Sequence, residues 1–155
     1  MHPNDVQLVR VWTREVGGTT GDVTFPNNAN FEIVVDVEAG LTKFNDGPPF
    51  TVGVVVKDMT HWSICPAQHG LPTGHECTVD TPPSINNPTI RGGLSTPCWP
   101  NQAHQFVFKV VAADLIPPGP DRTDHIFSAH ARLAVGAGQP NVSFAESPSF
   151  TVHKP

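Results

Sequence analysis

The chain has 155 residues, 38% of them hydrophobic and 15% charged, and a net charge of −5 with its histidines neutral. That length fits one domain whose core needs no disulfide or metal to support it. Its nine Lys and Arg are scattered, so the clustered cations of a nucleic-acid-binding protein are missing, and no apolar run approaches the roughly 20 residues of a membrane span.

Seventeen prolines and thirteen glycines punctuate short apolar runs, the composition of an all-β domain with many turns. The first residues carry no leader pattern of basic, apolar and small segments. The expectation is a cytoplasmic or phage-type protein, or a processed extracellular one.

The first strand is expected over Val6–Arg14 (VQLVRVWTR). It carries apolar residues on both faces, which predicts a bulge or a change of sheet. Asn27-Asn28 tolerates the left-handed region and leads into a second strand, Phe31–Glu38 (FEIVVDVE). Phe31, Ile33, Val35 and Val37 share one face of it. Glu32, Asp36 and Glu38 share the other with Val34, read as a solvated sheet face rather than a catalytic carboxylate pair. Asn45-Asp46-Gly47-Pro48-Pro49 predicts a turn with positive φ at Gly47. The third strand, Phe50–Asp58 (FTVGVVVKD), directs Val52, Val54 and Val56 inward.

Between Thr60 and Asn101 the alternation stops. This stretch holds seven prolines, three histidines and all three cysteines, and only Thr89–Leu94 reads as a short edge strand. Long irregular loops tend to be functional. Alternation resumes in His104–Leu115 (HQFVFKVVAADL), where Phe106, Phe108, Val110 and Ala112 align, until Pro117 and Pro118 stop it. In His125–Val135 (HIFSAHARLAV), Phe127, Ala129, Ala131, Leu133 and Val135 point one way. Ser128, His130, Arg132 and Ala134 point the other, toward solvent or an interface. Gly136 and Gly138 end that strand, and Pro148–His153 (PSFTVH) closes the chain. Helical signal is weak throughout.

The run of FPNNANFEIVV from Phe25, PFTVGVVVKD from Pro49, QFVFKVVAADL, HIFSAHARLAV and SPSFTV resembles the immunoglobulin-like β-sandwich in its bacterial and phage form. These segments look like its B, C, E, F and G strands, with residues 60–101 in place of C′ and D. The resemblance implies an all-β, immunoglobulin-like antiparallel sandwich of about seven strands, with a long irregular Pro-rich insertion and residues 1–155 in one domain. The antibody-type cysteine pair and tyrosine corner are absent. A superfold implies scaffold, adhesion, assembly or ligand-binding roles, and no single activity.

The densest chemistry is His61, Cys65, His69, His75 and Cys77, spaced H-x3-C-x3-H-x5-H-x-C. Three readings stay open. A Cys65–Cys77 disulfide would staple the loop, with His69 and His75 exposed and Cys98 a buried or intermolecular thiol. All three cysteines could be thiols in a reducing compartment. Zinc could take Cys65, His69, His75 and Cys77 as a tetrahedral shell. The disulfide is the preferred reading, and no other cofactor is implied.

Trp62 and Trp99 flank the loop. They could stack on sugar rings, anchor a protein partner, or pin the loop to the core, with packing preferred. If Met1 were absent, His2 with His104 or His130 would resemble a copper histidine brace. No G-x-S-x-G elbow and no calcium loop occurs, and Asn141-Val142-Ser143 fits the glycosylation acceptor pattern.

The sequence thus points to a non-enzymatic structural or binding module, on an extracellular or virion surface. It would contact a protein partner or a second copy through sheet edges and the 60–101 excursion. The alternative is a carbohydrate- or metal-binding module.

Overall fold

Short apolar runs broken by Pro and Gly give strands here for a physical reason. Alternating residues bury one face of each run, and Pro and Gly then end the ladder before it can continue. A computed structural model describes residues 5–60, 62–65, 75–77, 83–116, 125–138 and 140–153. Among them are eleven strands, not about seven: β1 (Val6–Glu15), β2 (Thr24–Pro26), β3 (Asn30–Ala39), β4 (Pro49–Asp58), β5 (Ser63–Ile64), β6 (His75–Glu76), β7 (Thr89–Gly93), β8 (Ala103–Val111), β9 (His125–Val135), β10 (Asn141–Glu146) and β11 (Phe150–His153). One short helix, α1 (Leu41–Asp46), joins β3 to β4.

The strands form two sheets in a sandwich-like arrangement. The smaller runs β1-β3-β8, and the larger runs β2-β11-β9-β4-β7-β6, with β10 paired to β9 and β5 to β4. Pairing is antiparallel except between β2 and β11 and between β6 and β7. The inner faces share one core. Phe31, Ile33, Val35 and Val37 of β3 and Phe106, Phe108 and Val110 of β8 meet Phe50, Val52, Val54 and Val56 of β4 and Phe127, Ala129, Ala131 and Leu133 of β9. At one end Phe25 stacks on Phe31, with centroids 4.1 Å apart, and Phe150 meets both rings edge-on.

The bulge expected in the first strand is real. Leu8 pairs with Val37, but Arg10 already pairs with Asp36, so Val9 is extra. The bulge flips the phase of β1. Leu8 before it and Val11 and Thr13 after it are therefore all buried. Gly47 has φ 63° and caps α1 with its N–H on the Phe44 carbonyl, as the Asn-Asp-Gly-Pro-Pro run predicts.

Beyond the strand count and the helix α1, two further differences from the expected elements appear. Strand β8 ends at Val111, and Ala112–Leu115 is a 3-10 turn. There, burial of Ala112 and Leu115 against the core outweighs continued alternation. Strand β10 was not expected because its pattern is inverted: Val142 and Phe144 face outward beside Ala134 and Arg132 of β9.

Candidate functional site

The cysteines pair differently from the sequence expectation. Cys77 is joined to Cys98, with Cα atoms 5.9 Å apart, and Cys65 is a free, buried thiol. The Cys65–Cys77 pairing is therefore incorrect. Cys77 follows β6, which docks along β7, and the chain beyond β7 turns back through Ser95–Cys98. Pairing in space brings together cysteines 21 residues apart. Gly92 makes room for the bridge: a Cβ there would lie 3.3 Å from the Phe50 ring and 3.6 Å from Cys77 Cβ.

Cys65 sits at the root of the excursion, where β5 folds back on β4, and its N–H bonds the Val56 carbonyl at 3.0 Å. Beside it lies a buried pair, Asp58 Oδ2 and His125 Nδ1, 2.9 Å apart, with side chains only 1% and 2% exposed. Asp58 Oδ1 also accepts the Thr60 N–H, and Thr60 Oγ1 accepts the Ile126 N–H, both at 3.0 Å. A Cys, an Asp and a His together suggest a nucleophilic triad, but the electrostatics run the other way. Burial, and then the charge of Asp58, push the Cys65 thiol up to about 12. A nucleophilic cysteine needs its thiolate, so this cluster fits a structural lock on the end of β4.

The proposed zinc shell is not assembled. Cys77 spends its sulfur on Cys98 and Cys65 is enclosed in the core. His75 lies half-buried on β6, and His69, like His2 and His61, lies outside the described residues. No group of three or more His, Cys, Asp or Glu among the described residues could hold a metal ion.

The tryptophans part company. Trp99 is fully buried, edge-on to Phe50 and Phe106 at 5.2 and 5.8 Å, with its Nε1 donating to the Gln102 carbonyl. It pins the excursion to the core and is not a contact residue. Trp62, at the β4–β5 turn, is 83% exposed and holds a left-handed backbone with φ 56°. His104 packs edge-on against Phe106, and burial lowers its pKa.

Two outer sheet faces carry what the strand patterns did not reveal. On the small sheet, Glu32 and Asp36 are not solvated. Arg14 Nε and the Gly17 N–H both donate to Glu32 Oε1 at 2.9 Å, and the Glu32 side chain is 8% exposed. Asp36 Oδ2 accepts from Arg10 Nε at 2.6 Å and from Trp12 Nε1 at 2.9 Å. The guanidiniums of Arg10 and Arg14 lie over the Trp12 ring, 4.8 and 5.5 Å from its centroid. The signal was present: Arg-x-Trp-x-Arg on one strand and Glu-x-x-x-Asp on the next meet in antiparallel register. On this face Arg10, Arg14 and Trp12 hold the two carboxylates.

The larger sheet is the opposite case. Across its outer face, Phe144 lies beside Arg132, then Gly53; Val142 lies beside Ala134, then Thr51; Glu146 lies beside His130, then Val55. Phe144 is 71% exposed, and Val142, Val55 and Ile64 are exposed too. A scan against protein-family models returns no match for the chain, and a search of curated proteins finds no similar sequence.

Proposed function

We propose that the protein is a non-enzymatic binding and assembly module on an immunoglobulin-like sandwich, working on an extracellular or virion surface. The division of strands supports the fold assignment. Strands β1, β3 and β8 follow the A, B and E positions, and β4, β9 and β10–β11 follow C, F and G. The Cys77–Cys98 bridge supports an oxidising setting.

One observation carries the functional reading. Phe144 and Val142 stand exposed on a regular sheet face, beside Arg132 and Ala134 of β9. A sheet face turned to water normally alternates polar residues outward. Exposed apolar side chains on such a face mark a protein contact, first of all with a second copy. Light scattering over a concentration series tests this. The mass should rise with concentration, and Phe144→Ser should return it to the monomer. A mass fixed at the monomer at every concentration overturns self-assembly.

A second reading has its own support in Trp62. An indole so exposed is suited to stacking on a sugar ring. Binding on a glycan array that Trp62→Ala removes and Phe144→Ser leaves intact would favour it over the assembly reading.

A further inference from the structure

An apolar groove of about 680 Å³ opens on the other side of the molecule from β10, between the edge of the small sheet and the disulfide. Its floor is His104–Val107 of β8. Its walls include Pro97, Gly92, Gly93 and the Cys77–Cys98 bridge.

Among the described strands, β8 is the edge of the small sheet and has β3 as its one strand partner, with a single bridge from Lys109 to Ser84 beside it. Lys109 turns both main-chain groups away from β3: its N–H goes to the Pro83 carbonyl at 3.2 Å, and its carbonyl accepts the Ile85 N–H at 2.9 Å. Antiparallel pairing alternates, so residues in the same phase as Lys109 do the same. The register with β3 is unbroken from Ala103 to Val111. Gln105 and Val107 therefore point their N–H and C=O groups into the groove, where they meet no partner among the described residues. Among the described residues the cover stops at Lys109, and Pro83 has no N–H to offer the Val107 carbonyl.

Four unpaired main-chain groups on a nine-residue edge strand form a template for another strand. The short segment at Ser84 pairs with this edge in parallel at Lys109 and demonstrates what the edge accepts. Among the described residues the lining holds no Asp, Glu, Lys or Arg. The groove is also walled on one side by Thr96–Cys98, which leaves room for a lone extended chain rather than the edge of a second folded sheet. An extended chain rises about 3.3 Å per residue, so four or five residues would run from Val107 to Ala103.

We propose that the free edge of β8 over Gln105–Val107 is a strand-addition site that takes an extended, uncharged, apolar segment of a partner protein. Main-chain hydrogen bonds to Gln105 and Val107 would hold the segment. The pocket beside the disulfide would select alternate apolar side chains. This site is separate from the exposed face of the large sheet.

The test combines amide exchange with a displayed library of random nine-residue peptides. In dilute protein, the Gln105 and Val107 amides should exchange on the order of 100-fold faster than those of Phe106 and Phe108, which bond β3. Selected peptides should be uncharged, with alternating apolar residues, and should protect the Gln105 and Val107 amides. N-methylation of the paired peptide amides should weaken binding at least about tenfold, as should Val107→Pro, while Phe144→Ser should leave it unchanged. Four results would each overturn the proposal. The two amides are protected in dilute protein alone. Protection grows with protein concentration without peptide, which makes the occupant a second copy. N-methylated peptides bind equally well. No peptide protects these amides.

Discussion

Breaking the Cys77–Cys98 bridge is the sharpest test of how the excursion is held. The bridge spans 21 residues of sequence. In the chain-entropy treatment, closing a loop of that size removes about 3 kcal/mol of freedom from the unfolded chain. The native state should keep its shape without the bridge, because Trp99 and Leu94 remain buried on either side of Cys98. The expected loss for Cys77→Ser with Cys98→Ser is therefore close to the loop term. For a chain of this length each kcal/mol corresponds to roughly 2–4 °C in Tm, so Tm should fall by about 6–12 °C. Cys65→Ala removes one sulfur from the core and should cost only about 1 kcal/mol. The assay is thermal unfolding of the oxidised protein, the double variant and the Cys65 variant, with and without a dithiol reductant. Reductant should lower Tm for the wild type and for Cys65→Ala, and should leave the double variant unchanged. The reasoning fails if non-reducing peptide maps join Cys65 to Cys77, or if Cys65→Ala abolishes the response to reductant.

Other consequences follow from the same packing. Trp99→Ala should destabilise by about 3–5 kcal/mol, whereas Trp62→Ala, which removes an exposed side chain, should shift denaturant midpoints within about 0.5 kcal/mol. The Cys65 thiol, raised from 9.0 to about 12, stays protonated in the fold while the unfolded chain ionises. The unfolded state then binds fewer protons, so this contribution is fully present below pH 9 and is lost as pH rises toward 12. The chain has no tyrosine to titrate there, and Cys65→Ala should flatten the alkaline limb of stability against pH. His104 works in the opposite direction. Burial lowers its pKa, so stability should fall as pH drops through and below its ordinary value near 6.5, and His104→Phe should weaken that acid limb. Glu32→Ala should cost about 2 kcal/mol in urea unfolding, because Arg14 and the Gly17 N–H both lose their acceptor.

Strand identity was legible wherever a run alternated against a buried face. Phe31–Glu38, Phe50–Asp58 and His125–Val135 read correctly because each sits mid-sheet with one face on the core. The bulge in β1 was visible as apolar residues on both faces, and the turn at Gly47 as residue chemistry. Strand β10 was not legible, since its larger apolar residues face outward and Ser143 and Ala145 face inward. Strands β2, β5 and β6 are too short for any period to register.

By itself the sequence determined an all-β chain, most of its long strands, and a Cys- and Pro-rich excursion set between the strands that end at Asp58 and begin near His104. Those are local properties, written in alternation and turn chemistry over five to ten residues. Only the tertiary structure decided which cysteines meet, which tryptophan is buried and which carboxylates are neutralised. Each of these depends on residues brought together from distant parts of the chain. Arg14 reaches Glu32 because β1 and β3 pair in one register. Cys77 reaches Cys98 because β6 lies along β7. The exposed Phe144 belongs to the same class, because exposure is set by what the rest of the chain leaves uncovered.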